Sequence, residues 1–120
     1  VLDAAKAVDA RDWPEFGRIL NEAHASLRDL YDVSCPELNV VQAAAADHPL
    51  CYGARLTGAG FGGSVLAVCR RGAAASVIDA VRDAYGPRLT ATTATPGPGA
   101  VLRPAGAAHH DQRAAVDIWP

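Results

Sequence analysis

Gly58-Ala59-Gly60-Phe61-Gly62-Gly63 puts four glycines into six residues, and this run limits the fold more than any other feature of the chain. A hairpin turn needs one or two glycines for their φ > 0 conformations. Four cost backbone entropy that a simple turn need not lose, which marks a place where backbone passes close to another group. The flanks narrow the choice. Residues 51–57, Cys-Tyr-Gly-Ala-Arg-Leu-Thr, are short, mixed and bounded by turn residues, and they read as a strand. Residues 64–69, Ser-Val-Leu-Ala-Val-Cys, form an almost continuous apolar run of strand length, which predicts a strand buried on both faces.

The loop also satisfies G-x-G-x-x-G through Gly58, Gly60 and Gly63, with Asp79 and Asp83 at the distance of an acidic ribose partner. A dinucleotide site, however, needs a helix to open directly after the loop so that its N-terminus faces the pyrophosphate. The β-rich run Val65 to Cys69 opposes that, and predicts that no helix starts at Ser64. No G-x-x-x-x-G-K-[ST] run exists in the 120 residues. A strand–loop–strand unit whose backbone passes close to another group is the remaining functional reading, beside the plain tight turn.

The segments before the loop are helical. Leu2, Ala5 and Val8 predict a short opening helix, and Trp13, Phe16, Leu20, Ala23, Leu27 and Leu30 step by three and four to give a long amphipathic one. Asp12 and Glu15 form a capping box with Pro14 in the first turn; Ser34 and Glu37 repeat the device with Pro36, before Leu38, Val41 and Ala45. After the loop, Val77, Ile78, Val81, Ala84 and Tyr85 predict a last helix, ended by Gly86 and Pro87. Residues 89–95, rich in threonine, predict a third strand, with a brief pairing at Val101 and Leu102. From Arg103 the sequence loses periodicity, so 103–120 is expected to be an unstructured tail after a domain spanning 1–102. The fold class is therefore α+β, with helices packed on one face of a small, mainly antiparallel sheet.

Charge and cysteines restrict the partners. Eleven basic against 13 acidic residues give a net charge of −2 with no block of one sign, which argues against nucleic acid. An anion would then be held by backbone N–H groups and a few placed side chains. No membrane span or signal peptide is visible, which predicts a cytoplasmic protein without a membrane partner. Cys35, Cys51 and Cys69 are an odd, widely spaced set without zinc spacing, read as reduced thiols, with Cys69 packing in its strand. Val1 opens the chain directly in a helical pattern, as a segment of a longer polypeptide would.

Three stretches together resemble the galactokinase family of the GHMP class. They are Asn21-Glu22-Ala23-His24-Ala25-Ser26-Leu27-Arg28-Asp29-Leu30-Tyr31, then Val33-Ser34-Cys35-Pro36-Glu37-Leu38, then residues 52–63 through the glycine loop. Their order and spacing match over about residues 10–102; the first two are specific to galactokinases, while the loop is shared by the class. The resemblance implies a two-domain enzyme that transfers the γ-phosphoryl of ATP, with Mg2+, to the anomeric hydroxyl of galactose. Gly58, Ala59, Gly60, Phe61, Gly62 and Gly63 would line the cleft on its phosphate side. The Asp base, its Arg partner, the ATP loop and the main sugar contacts are implied to lie in an amino-terminal part, so no catalytic residue is expected within these 120. The alternatives are a non-catalytic binding or regulatory module, complementing a separate amino-terminal half, and another GHMP small-molecule kinase. Ala59 departs from a glycine of many members, and Asn39 from an aspartate.

The other polar residues have plainer readings. Glu22 and His24 stand off the predicted stripe and are read as solvated or touching another segment, without a catalytic role. His109, His110 and Asp111 could meet a metal but have no predicted geometry. Arg55 and Thr57 lie near enough to the loop to assist an anion, or are ordinary surface groups.

Overall fold

Asp12 starts the longest helix as predicted: its Oδ1 accepts the Glu15 N–H at 3.1 Å. The computed structural model describes residues 1–97. It orders the chain as α1 (Leu2–Asp9), α2 (Trp13–Asp29), α3 (Pro36–Ala46), β1 (Cys51–Thr57), β2 (Ser64–Cys69) and α4 (Ala74–Tyr85). The brief pairing expected at 101–102, the end of the expected domain and the tail 103–120 lie outside the described residues.

β1 and β2 pair antiparallel, from Thr57 opposite Ser64 down to Cys51 opposite Cys69, with an irregularity between Cys51 and Gly53. Ala54 packs with Ala45 of α3 and with Val77 and Val81 of α4, and Val65, Ala67 and Cys69 close the same cluster from β2. The core therefore lies between the hairpin and the α3–α4 pair. Gly86, at φ 106°, ends α4 in the conformation that a glycine allows at least cost.

Several expectations need correction. The stripe of α2 is rotated: Trp13, Gly17, Leu20 and His24 are buried, whereas Leu30 is 82 % exposed and Phe16, Ala23 and Leu27 are only half-buried. The helix packs against strand backbone, so its line of closest approach carries small and polar side chains. In α1 the buried residue is Ala7, and Leu2 points outward. Cys35 takes the N-cap of α3, one residue after the predicted Ser34, because Pro36 with its fixed φ occupies the first helical position. Ser34 Oγ donates instead to Asn39 Oδ1 at 2.7 Å. Glu37 turns to its own N–H and to the Cys35 side chain, and these hydrogen bonds lower its carboxyl below its usual range.

β2 is not buried on both faces: Val65, Ala67 and Cys69 turn to the core while Leu66, on the opposite side, is 51 % exposed. Residues 89–95 form no strand. Leu89 alone of these packs on the core, and the exposed threonines after it find no ladder; β-propensity without a face to bury does not make a strand.

Candidate functional site: the glycine loop and its supports

The loop joins Thr57 to Ser64, and no helix begins there, so the geometry that a dinucleotide fingerprint requires is absent at this site. Gly58, Gly60, Phe61, Gly62 and Gly63 all have φ between 55° and 128°. A run of left-handed residues is costly for anything but glycine, so only Phe61 carries a side-chain penalty. Ala59 is not among the positive-φ residues, and its methyl costs little.

Within the loop, Gly60 is the position where the backbone comes closest to another segment. A Cβ there would overlap the Val33 carbonyl oxygen and come within 2.9 Å of Val33 Cβ. The next residue, Phe61, donates its N–H to that same carbonyl at 2.8 Å, and Val33 N–H in turn donates to Leu27 O at 3.1 Å. The tip of the loop is thereby tied to the α2–α3 connection. At Gly58 and Gly62 a Cβ would meet nothing within 4 Å, so their backbone faces open space. Phe61 itself is 75 % exposed.

Below the loop, α2 covers the outer edge of β1. In an antiparallel ladder alternate N–H groups point away from the partner strand. Here those of Ala54 and Leu56 donate to Asn21 Oδ1 at 3.0 Å and to His24 Nδ1 at 3.2 Å. Gln42 Nε2 donates to the Ala54 carbonyl at 3.0 Å and to Asn21 Oδ1 at 3.2 Å, which completes the edge. Close approach is possible because Gly17 faces Gly53: a Cβ on either would overlap backbone of the other segment.

His24 is therefore buried against another segment and not solvated, with 1 % of its surface exposed. Burial lowers its pKa from the ordinary histidine range; Arg28 and Arg55 act in the same sense, and Asn39 and Asp29 oppose them. Because Nδ1 accepts from Leu56, the neutral ring carries its proton on Nε2, for which no well-aligned hydrogen-bond acceptor stands among the described residues. Glu22 lies on the exposed face and pairs with Arg18. Arg55 turns back onto its own strand, donating from Nε to Leu56 O at 3.0 Å, and Thr57 is exposed.

The six loop residues form the connection between β1 and β2, while Asn21, His24, Gln42 and Val33 were not singled out as its supports. A signal existed: Gly17, Asn21 and His24 are spaced by four and three, a line of small and polar groups suited to a backbone edge. An apolar groove of about 940 Å3 runs from Phe61 and Gly62 along β2, between α3, α4 and residues 88–94. Among the described residues no group of three or more His, Cys, Asp or Glu side chains could hold a metal, and no helix is long and apolar enough to cross a membrane.

Residues 4–87 match the family described as GHMP kinases C terminal. The chain belongs to that family. Within it, the chain is 49 % identical over 70 residues to the galactokinase of Roseiflexus sp. (strain RS-1), covering 58 % of this chain and 18 % of that one. It is 42 % identical over 87 residues to the galactokinase of Homo sapiens, covering 72 % and 22 %. The crystal structure of Lactococcus lactis galactokinase complexed with galactose superposes with a TM-score of 0.66 at 39 % identity, covering 68 % of this chain and 21 % of that one. The GHMP kinase C-terminal domain thus spans about a fifth of the length of the galactokinases it matches, and the resemblance to their carboxy-terminal region holds.

Proposed function

We propose that these residues form the carboxy-terminal wall of a cytoplasmic galactokinase cleft, in which ATP phosphorylates galactose to galactose 1-phosphate. Gly58 to Gly63 is the phosphate-side lining of that cleft. The observation that carries the reading is the division of labour among the glycines: Gly60 is fixed against Val33, while Gly58 and Gly62 leave backbone open to a ligand. An anion held this way needs no basic excess, in keeping with a net charge of −2. The described residues fit a phosphate cradle but offer no cluster for Mg2+, so its ligands would come from ATP and from the amino-terminal part.

In phosphoryl transfer the protein contributes positioning and charge stabilisation. The loop supplies fixed backbone dipoles on one side; sugar binding, the proton acceptor and the rest of the ATP site belong to the amino-terminal part of the relatives. The groove beside β2 is the apolar face that such a part would cover.

The test is a coupled assay for galactose 1-phosphate with these 120 residues alone, with the amino-terminal part of a galactokinase relative alone, and with both together. No turnover is expected from either alone, and turnover from the mixture. Robust activity of this chain by itself would overturn the assignment of roles. Two folded halves that stay inactive together would favour a non-catalytic binding module.

A further inference from the structure

Cys51 and Cys69 stand opposite each other at the end of the β1–β2 ladder remote from the glycine loop. The Arg70 N–H donates to Leu50 O at 2.9 Å, which makes 51/69 a non-hydrogen-bonded pair. This is the closer kind, with Cα atoms generally about 4.5 Å apart. The irregularity between Cys51 and Gly53 adds a residue to β1 and reverses its alternation. Cys51 is thereby brought to the face of Ala54, and both cysteines pack on the same cluster of Ala45, Ala54, Val77 and Val81. A disulfide accepts Cα separations of roughly 4.4–6.8 Å, and a pair of this kind falls inside that range.

We propose that Cys51 and Cys69 form a redox-active dithiol that closes to a disulfide by exchange with a small-molecule disulfide such as oxidised glutathione. Cys69 lines the groove and, in this chain without an amino-terminal part over it, is the sulfur reached first. The Cys51 thiol is held inward, donating to Val68 O at 3.4 Å and Gly53 O at 3.5 Å. The Cys69 thiolate attacks one sulfur of oxidised glutathione, forming a mixed disulfide and releasing one glutathione thiolate. Cys51 then loses its proton and attacks the Cys69 sulfur, displacing the second. Two protein thiols are oxidised, one glutathione disulfide is reduced to two thiols, and the two protein protons end on them. Burial raises both thiols above the ordinary cysteine range, for Cys51 with a further push from Cys69, so exchange is slow near neutral pH and is read at equilibrium.

The full chain is equilibrated in glutathione buffers from reducing to oxidising, acid-quenched, alkylated and weighed intact, then cut with trypsin. Peptide 29–55 carries Cys35 and Cys51, and peptide 56–70 carries Cys69. The expected product is two hydrogens lighter, alkylated only at Cys35, with the two peptides linked through Cys51. Cys35→Ser keeps the link, whereas Cys51→Ser stops at a mixed disulfide on Cys69 and Cys69→Ser forms no link. The equilibrium favours the closed form at least about ten-fold more in native buffer than in urea, because the fold raises the effective concentration of the two thiols. A link through Cys35, no link in the wild-type chain, or equal equilibria in buffer and urea would overturn the proposal. Fragmentation of the wild-type linked peptide assigns the bond even where Cys35→Ser misfolds.

Discussion

The two long sides of the β1–β2 hairpin are treated in opposite ways. Along the outer edge of β1 the contacts seal backbone: Gly17 meets Gly53, and Asn21, His24 and Gln42 take the outward N–H and C=O groups. Along β2, Leu66 is 51 % exposed, and the loop beyond it carries Phe61 at 75 %. The difference separates a scaffold whose geometry is fixed from a surface left open for a ligand or a further part of the protein. Substitutions should therefore cost far more on the β1 side than on the β2 side.

The severest test is Gly17→Ala. Its Cβ would overlap the Tyr52 carbonyl oxygen, and neither the helix nor the strand backbone can give way cheaply. A loss of about 3–5 kcal/mol, measured by urea unfolding, is expected for forced overpacking of this kind. A loss below about 1 kcal/mol would show that the seam is looser than described. Gly60→Val comes next, since φ 84° and the Val33 carbonyl both oppose a side chain. We expect about 2–4 kcal/mol of destabilisation from strain and overlap. In the reconstituted assay turnover falls at least about ten-fold, as misplacement of a positioning group implies.

His24→Gln tests the edge by pH. The folded state holds the ring neutral and lowers its pKa, so the unfolded chain binds more protons. The contribution of His24 is therefore present in full above about pH 6.5 and is lost as pH falls through the lowered folded value. The urea midpoint of the wild type should drop from pH 7 towards pH 5 more steeply than that of the variant; parallel profiles would remove His24 as the titrating group. Leu66→Ser is expected to change stability by less than about 0.5 kcal/mol, as an exposed substitution on the open side should. A cost comparable to that at Gly17 would erase the contrast between the two sides.

Much of this architecture was legible where one local rule acted alone. Asp12 with Glu15 set the start of α2, Gly86 ended α4, and the β-rich run after Gly63 excluded a helix. The seam was not legible, because amphipathic spacing looks for large apolar side chains, whereas a helix against strand backbone needs glycine and polar acceptors. Thus Leu30 was expected inside and is exposed, and His24, read as solvated or touching another segment, is buried against β1. The bulge at Cys51 was hidden for another reason: one added residue flips the alternation, and Gly53 beside it signals a close backbone approach as readily as a bulge. Residues 89–95 show the converse error, a propensity with no partner to act on. The glycine loop was located from sequence, but its anchor was not, since Val33 contributes only a carbonyl oxygen, which any residue has.

The seam along β1 also works as a register key. Strand alternation has a period of two, so slipping β1 by one residue would turn Arg55 towards the core and Ala54 away from it. The acceptors on Asn21 and His24 would then face different N–H groups. A slip by two keeps the faces but brings Cys51 or Arg55, both bearing side chains, to the notch that Gly53 fills against Gly17. Odd slips are refused by polarity and even ones by volume. Because β1 cannot slide against α2, the point at which the loop leaves β1 is set from outside the loop, by side chains 33 and 32 positions earlier in the sequence.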